Sequence, residues 1–287
     1  MLSLRQAGAY RNITINSVYD RFYDTGRIGA FDFSYKEGDD KKPHIFWDFE
    51  HFSCRCGKRK FPITQRVECF DCSCCPPNLN RLLSSLGNYI YGFEDDTLFV
   101  NQFIASSLNE ENVKARISTS YPLDGSVKIT VGGASKVAVR IPFWCEKFSI
   151  NKPYVIQNGY AIVDVDGEIE VNFDMTPKAV WADPRIIKDA GKICIMRGPV
   201  VYCAEGIDNG INLHRFTVSQ DFEYIEKNNG VFGIPELEIS AYEKVSYDGE
   251  LYAAHPPLKN KTVLKLIPYN CFANRGESDM LVWFVEE

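Results

Sequence analysis

From Thr97 onward, apolar residues recur at every second position. "TLFVNQF", "VKARISTSY", "SVKITV", "KVAVRIPFW", "YAIVDV" and "EIEVNFDM" are short alternating runs. Successive side chains on a strand point to opposite faces, so a period of two marks a segment with one face in a core. "LDG", "VGGAS", "QNG" and "DVDG" punctuate the runs as turn signals. Six strands at such even spacing predict an antiparallel β-sandwich over residues 95–194. After "PKAVWADPRI" the runs become continuously apolar, around "KICIMRGPVVYCAEG" and "TVLKLIPY". They predict a second β region over 195–287. A hydrophobic content of 45% in 287 residues is enough to bury such cores.

Residues 1–94 have a different texture. Residues 12–23, "NITINSVYDRFY", fit a helix or a strand, because β-branched content opposes a helical spacing of Ile15, Val18, Tyr19 and Phe22. The polar loop "KEGDDKKP" leads into "HIFWDFEHF", an extended segment with Ile45, Trp47 and Phe49 on alternate positions. A basic, cysteine-rich loop follows. Pro76 and Pro77 then suit a helix entrance, where a missing N–H is no loss. Leu79, Leu82, Leu83, Leu86 and Ile90 form an apolar stripe on one helical face, and "EDD" at 94–96 is expected to end that helix.

Six of the ten cysteines fall between Cys54 and Cys75. Cys145, Cys194, Cys203 and Cys271 stand in apolar surroundings and read as buried small side chains. The N-terminus lacks a secretory h-region and no stretch is apolar enough to span a membrane, so the chain reads as cytoplasmic, with reduced thiols. On that reading the Asn12-Ile13-Thr14 sequon is a chance match. A net charge of -6 gives no encouragement to a nucleic-acid or anionic-membrane partner.

Thiolates bind zinc at about 2.3 Å, and four ligands close a tetrahedral site. Cys54-x-Cys56 and Cys69-x-x-Cys72-x-Cys74-Cys75 supply more donors than one ion needs. A helix entrance also favours an anion, so a thiol just ahead of it loses its proton more easily. Three chemistries fit: a metal site, a redox pair, or inert thiols gathered by chance.

The segment "CFDCSCCPPNLNRLLSSLGNYIYGFEDDTLFVNQFIASSL" resembles the signature of the β-L-arabinofuranosidase family of glycoside hydrolases. Phe70, Cys72, Cys74, Cys75, Pro76, Pro77 and Asn78 match its core pattern. "VRIPFWC", "RGPVVYCAEGIDN" and "LIPYNCFANRGESDMLVWF" resemble later family segments in the same order, so the likeness runs from about Phe46 to the C-terminus. It implies a mainly β chain whose sandwich follows a short α-containing remnant of an (α/α)6 barrel, with residues 1–94 as the remnant. It also implies a retaining glycosidase. Cys74 would be its zinc-bound nucleophile, and Cys74 and Cys75 its zinc ligands.

In the family, an upstream Glu-x-Cys supplies the other ligands and a further upstream Glu is the acid/base. No Glu-x-Cys occurs here, although Cys54 and Cys56 offer substitute thiols. The resemblance therefore implies a truncated or split enzyme, inactive alone. Its partners would be a complementing chain or a second copy and, once the barrel is complete, an arabinose-containing glycan. A non-catalytic carbohydrate-binding β protein and a closed zinc–thiolate module of Cys54, Cys56, Cys72 and Cys75 are the competing readings.

Among other residues, Glu50 could face a sugar pocket and Trp47 could stack on a sugar ring. His44 and His51 suit hydrogen-bonding roles better than metal ligation. Glu68 and Asp71 lie near the motif, and Glu94, Asp95 and Asp96 read as a solvated turn. Asn274 and Arg275 read as contacts within the sandwich or against the barrel. Trp144, Trp181 and Trp283 suit core or interdomain packing.

Overall fold

The alternating runs fold as strands. The computed structural model describes residues 13–15, 75–228, 233–247, 251–276 and 278–287, with 13–15 and 75–78 as backbone alone. The described residues fall into two compact units, one of 13–15 and 75–175 and one of 176–287.

In the first unit, β1 is Ile13–Ile15 and helix α1 is Cys75–Ser85. Among the described residues, ten further strands complete the unit. They are β2 Tyr91–Glu94, β3 Thr97–Val100, β4 Ser106–Asn109, β5 Lys114–Thr119 and β6 Ser126–Gly132. Then come β7 Lys136–Arg140, β8 Phe148–Ile150, β9 Tyr154–Gln157, β10 Tyr160–Asp164 and β11 Ile169–Phe173. One sheet has the order β1-β4-β5-β6-β11-β8 and the other β2-β3-β7-β10-β9. Each of the six expected runs contains a strand. β4, β8 and β9 were not expected from their sequences: β4 has one aliphatic side chain, β8 is three residues long, and every residue of β9 is exposed.

The helix is shorter than its apolar stripe predicts. In its last turn the Ser84 hydroxyl donates to Arg81 O at 2.9 Å, and the Ser85 hydroxyl donates to Arg81 O at 3.1 Å and Leu82 O at 3.0 Å. Such back-bonding weakens helical continuation. Leu86–Tyr89 tightens to a 3-10 turn, and the chain enters β2 one residue later. The "EDD" segment therefore turns a β-hairpin instead of ending the helix. Asp95 and Asp96 take φ of 46° and 60°, the left-handed pair that a two-residue hairpin of this hand requires. Glu94 pairs with Thr97, so the expected division at 94/95 falls between the arms of that hairpin.

The inward faces of the two sheets share one core. It includes Ile90, Tyr91, Leu98, Val100, Ile117, Val127, Ile129, Val139, Ile169 and Val171. At one end Phe103, Tyr121, Trp144 and Phe173 pack ring on ring, with Phe103 4.8 Å from Phe173 and Trp144 6.0 Å from Phe173. The buried Ser106 hydroxyl donates its one proton to Ile104 O at 2.8 Å, so the Tyr91 hydroxyl, 2.9 Å from Ser106 Oγ, donates to it. Burial pushes the Tyr91 phenol up to about 12.

The second unit holds β12 Pro177–Trp181, β13 Lys192–Arg197, β14 Val200–Glu205, the one-turn helix α2 Gly206–Asn209 and β15 Phe216–Val218. It continues with β16 Tyr224–Lys227, β17 Glu236–Lys244, β18 Lys259–Pro268, β19 Met280–Leu281 and β20 Phe284–Glu286. The expected division at 194/195 falls inside β13. The sheet runs β12-β13-β20-β15-β17-β18-β14-β19, and β16 pairs with β17. A further pairing of β13 with β14 joins β13, β20, β15, β17, β18 and β14 into a closed ring. Closure leaves those six strands no free edge.

The ring also explains why alternation is missing from β13 and β14. β13 and β14 are buried on both faces. On one of those faces, Cys194, Met196, Val201 and Cys203 pack with Ile267, Tyr269, Cys271 and Phe272. A strand buried on both sides needs apolar residues at successive positions.

Candidate active site

The cysteine motif ends where α1 begins. Cys75 is the first residue of the helix, and Pro76 and Pro77 follow in its first turn. The first four N–H groups of a helix have no intrahelical acceptor. Two prolines remove two of these donors, leaving the N–H groups of Cys75 and Asn78. No acidic residue stands in the first turn to offset the positive end of the helix dipole. This is a backbone environment that favours a thiolate.

Cys54, Cys56, Cys69, Cys72 and Cys74 lie outside the described residues, as do His44, Trp47, Glu50, His51, Glu68 and Asp71. Among the described residues, no group of three or more His, Cys, Asp or Glu side chains is placed to hold a metal ion. Cys145, Cys194, Cys203 and Cys271 are buried, as expected. Burial pushes the Cys194 thiol up to about 12, with Asp189 adding to the effect, so it is a neutral packing group. The Cys145 thiol donates to Lys147 O at 3.1 Å. Asp95 and Asp96 are exposed and Glu94 is half-buried, in keeping with a solvated turn.

The tryptophans divide. Trp144 lies in the first unit's core, Trp283 packs at the margin of the Cys194 cluster, and Trp181 is 48% exposed. The Trp181 indole N–H donates to Glu286 Oε2 at 3.1 Å.

A charged cluster in the second unit centres on Arg275. Its guanidinium bonds both the Glu205 and Asp208 carboxylates, with Nε 3.2 Å from Glu205 Oε2 and Nη1 3.2 Å from Asp208 Oδ1. Glu205 is 1% exposed, and its Oε1 accepts the Ala273 N–H at 2.7 Å. Partial burial opposes the charge on Arg275, but the two carboxylates outweigh it and hold the pKa raised. Asn274 Nδ2 donates to Cys271 O at 2.9 Å. The described contacts of Asn274 and Arg275 are thus within the second unit. Glu205 carried no sequence signal of its own; only the burial of β14 shows that its charge needs a partner. With one oxygen on a backbone N–H and the other on a guanidinium, it holds structure.

The comparisons follow this architecture. Residues 97–174 match the β-L-arabinofuranosidase middle domain of glycoside hydrolase family 127, and residues 177–285 match that family's C-terminal domain. The junction between the matches coincides with the boundary of the compact units at Met175 and Thr176. Fold and sequence together define a glycoside-hydrolase chain of the β-sandwich-bearing kind. The chain belongs to glycoside hydrolase family 127 and carries that family's middle and C-terminal domains.

A non-reducing end β-L-arabinofuranosidase of Bifidobacterium longum subsp. longum is 30% identical over 254 residues, covering 78% of this chain and 39% of the relative. A family 127 β-L-arabinofuranosidase from Geobacillus stearothermophilus T6 has a similar structure. Its TM-score is 0.71 at 35% identity, over 78% of this chain and 39% of that one. A second family 127 β-arabinofuranosidase gives 0.65 at 28% identity, over 76% of this chain and 39% of that one. The chain thus spans about 39% of the length of these relatives. Among the described residues, no helix is long and apolar enough to cross a membrane.

Proposed function

We propose that the chain is the C-terminal part of a retaining β-L-arabinofuranosidase whose nucleophile is the Cys74 thiolate. One observation carries this reading: the family's Cys-Cys-Pro-Pro-Asn pattern stands at the first residue of α1, directly ahead of two matched family domains. A helix entrance stabilises the developing anion on sulfur, and a thiolate is the nucleophilic form.

The donor set suits zinc, since adjacent thiols offer soft ligands. Cys74 and Cys75 would hold the ion, with Cys54 and Cys56 as further donors from this chain. When bound, zinc keeps its thiolate ligands deprotonated at neutral pH. In the reaction, Cys74 Sγ attacks the anomeric carbon and the glycosidic oxygen departs with a proton. Water then releases the sugar from sulfur with retention.

Retention needs a carboxyl group to protonate the leaving oxygen and later to activate water. The chain has no Glu-x-Cys element, and the most buried carboxylate among the described residues, Glu205, is held by Arg275. These residues alone therefore hydrolyse no glycoside, and activity on arabinose-containing glycans requires the helical barrel as well. The test has two parts. Purified chain is assayed on an aryl β-L-arabinofuranoside, and its zinc content is measured with and without Cys74→Ser and Cys75→Ser. No turnover, with zinc lost in the double variant, is expected. Turnover by the chain alone overturns the requirement for the barrel, and a thiol-independent zinc content overturns the metal assignment.

A further inference from the structure

We propose that Asn158 is a site of spontaneous deamidation to aspartate and isoaspartate, set apart by its fold from the other described Asn-Gly pair. The inference is independent of the glycosidase reading. The sequence places Asn-Gly at 158–159 and 209–210, and a third pair at 229–230 lies outside the described residues. Glycine lacks the side chain that would hinder its own nitrogen, so Asn-Gly is the dipeptide in which that nitrogen reaches the asparagine side chain most readily.

The two pairs have different surroundings. Asn209 is clamped: its Nδ2 donates to Glu205 O and Lys265 O at 2.9 Å each, and its Oδ1 accepts the Lys265 N–H at 2.9 Å. The nitrogen that would attack is occupied as well, because the Gly210 N–H donates to Gly206 O at 2.7 Å. Asn158 sits at the exposed tip of the β9–β10 hairpin, with φ of 50°, and Gly159 has φ of 81°. Its side chain and the Gly159 N–H bond to none of the described residues, while Gly159 O accepts the Ile141 N–H at 2.8 Å. Cyclisation requires the turn to leave its left-handed conformation. β9 is the strand that permits this, because among the described residues it is an edge strand pairing with β10 alone, and it is exposed along its length.

In the reaction, the Gly159 backbone nitrogen loses its proton to solvent and attacks Asn158 Cγ. A C–N bond forms, the side-chain nitrogen gains one proton from solvent, the Cγ–Nδ2 bond breaks, and ammonia leaves a succinimide. Water then opens either ring carbonyl, so that asparagine and water give aspartate or isoaspartate and ammonia. Isoaspartate adds a methylene to the main chain, which a two-residue turn of this type cannot absorb. The product therefore loosens β9 at the margin of the five-stranded sheet.

The experiment incubates the full chain at mildly alkaline pH, native and in urea, and follows both peptides by mass spectrometry with fragmentation that separates aspartate from isoaspartate. In the native chain, Asn158 is expected to convert at least about tenfold faster than Asn209, a ratio that a small difference in local opening supplies. Urea should bring the two rates together. Equal or inverted native rates would overturn the proposal. So would a native chain unmodified at Asn158 while the unfolded chain converts at both sites. A ratio that survives in urea would assign the difference to flanking sequence and sink the structural account.

Discussion

Glu205 and Tyr91 show how single buried groups set the chemistry of their units. Removing the guanidinium by Arg275→Ala leaves Glu205 charged in the interior with one backbone donor. Breaking a buried pair on one side costs about 3–5 kcal/mol. The second unit should lose about that much in urea unfolding, whereas Glu205→Gln, which removes the buried charge, should cost less. Tyr91 makes a prediction in pH. Its folded value of about 12 lies above the ordinary 10.0, so the folded state keeps a proton that the unfolded state gives up. The Tyr91 contribution to stability should therefore be constant below pH 10 and fall as pH rises from 10 toward 12. Tyr91→Phe should flatten this part of the alkaline loss in denaturation curves, at a cost near neutrality of about 1 kcal/mol for the hydrogen bond to Ser106. Neither role could be read from the sequence. Tyr91 looked like the tail of a helix, and Glu205 like one acid among many.

At the level of elements, legibility followed solvent exposure. Where one face of a strand meets water, as in β5, β6 and β11, polar residues alternate with apolar ones and the strand is visible. Where both faces are buried, as in β13 and β14, the period vanishes and only continuous apolarity remains. Where every residue is exposed, as in β9, no pattern marks the strand. The helix after the cysteine motif was legible at its start, from two prolines and a leucine stripe. Its end was not, because Ile90 continues the helical spacing while serving the β core. The hairpin turn that follows offers a direct check. Asp96 holds φ of 60°, a conformation that costs an L-residue roughly 1–2 kcal/mol and glycine far less. Asp96→Gly should therefore stabilise the first unit by up to about 1 kcal/mol in thermal or urea unfolding. Unchanged or lowered stability would mean that the aspartate side chain compensates the turn.

At the level of the molecule, two family domains are complete enough to be matched one after the other, while the residues that would complete a glycosidase centre are not gathered among those described. The fold class was legible because strand periodicity is a repeated signal. The candidate site rests on the cysteine pattern of the sequence, since most of its sulfur atoms lie outside the described residues. The central claim is that the sulfur at position 74, ahead of α1, is the nucleophile of an enzyme whose carboxylates come from elsewhere. A fusion of the N-terminal portion of the Geobacillus relative to this chain tests it most directly, assayed on an aryl β-L-arabinofuranoside beside the chain alone and the Cys74→Ser fusion. The account predicts turnover by the fusion and none by the other two. Turnover that survives Cys74→Ser, or a folded fusion without activity, would contradict it.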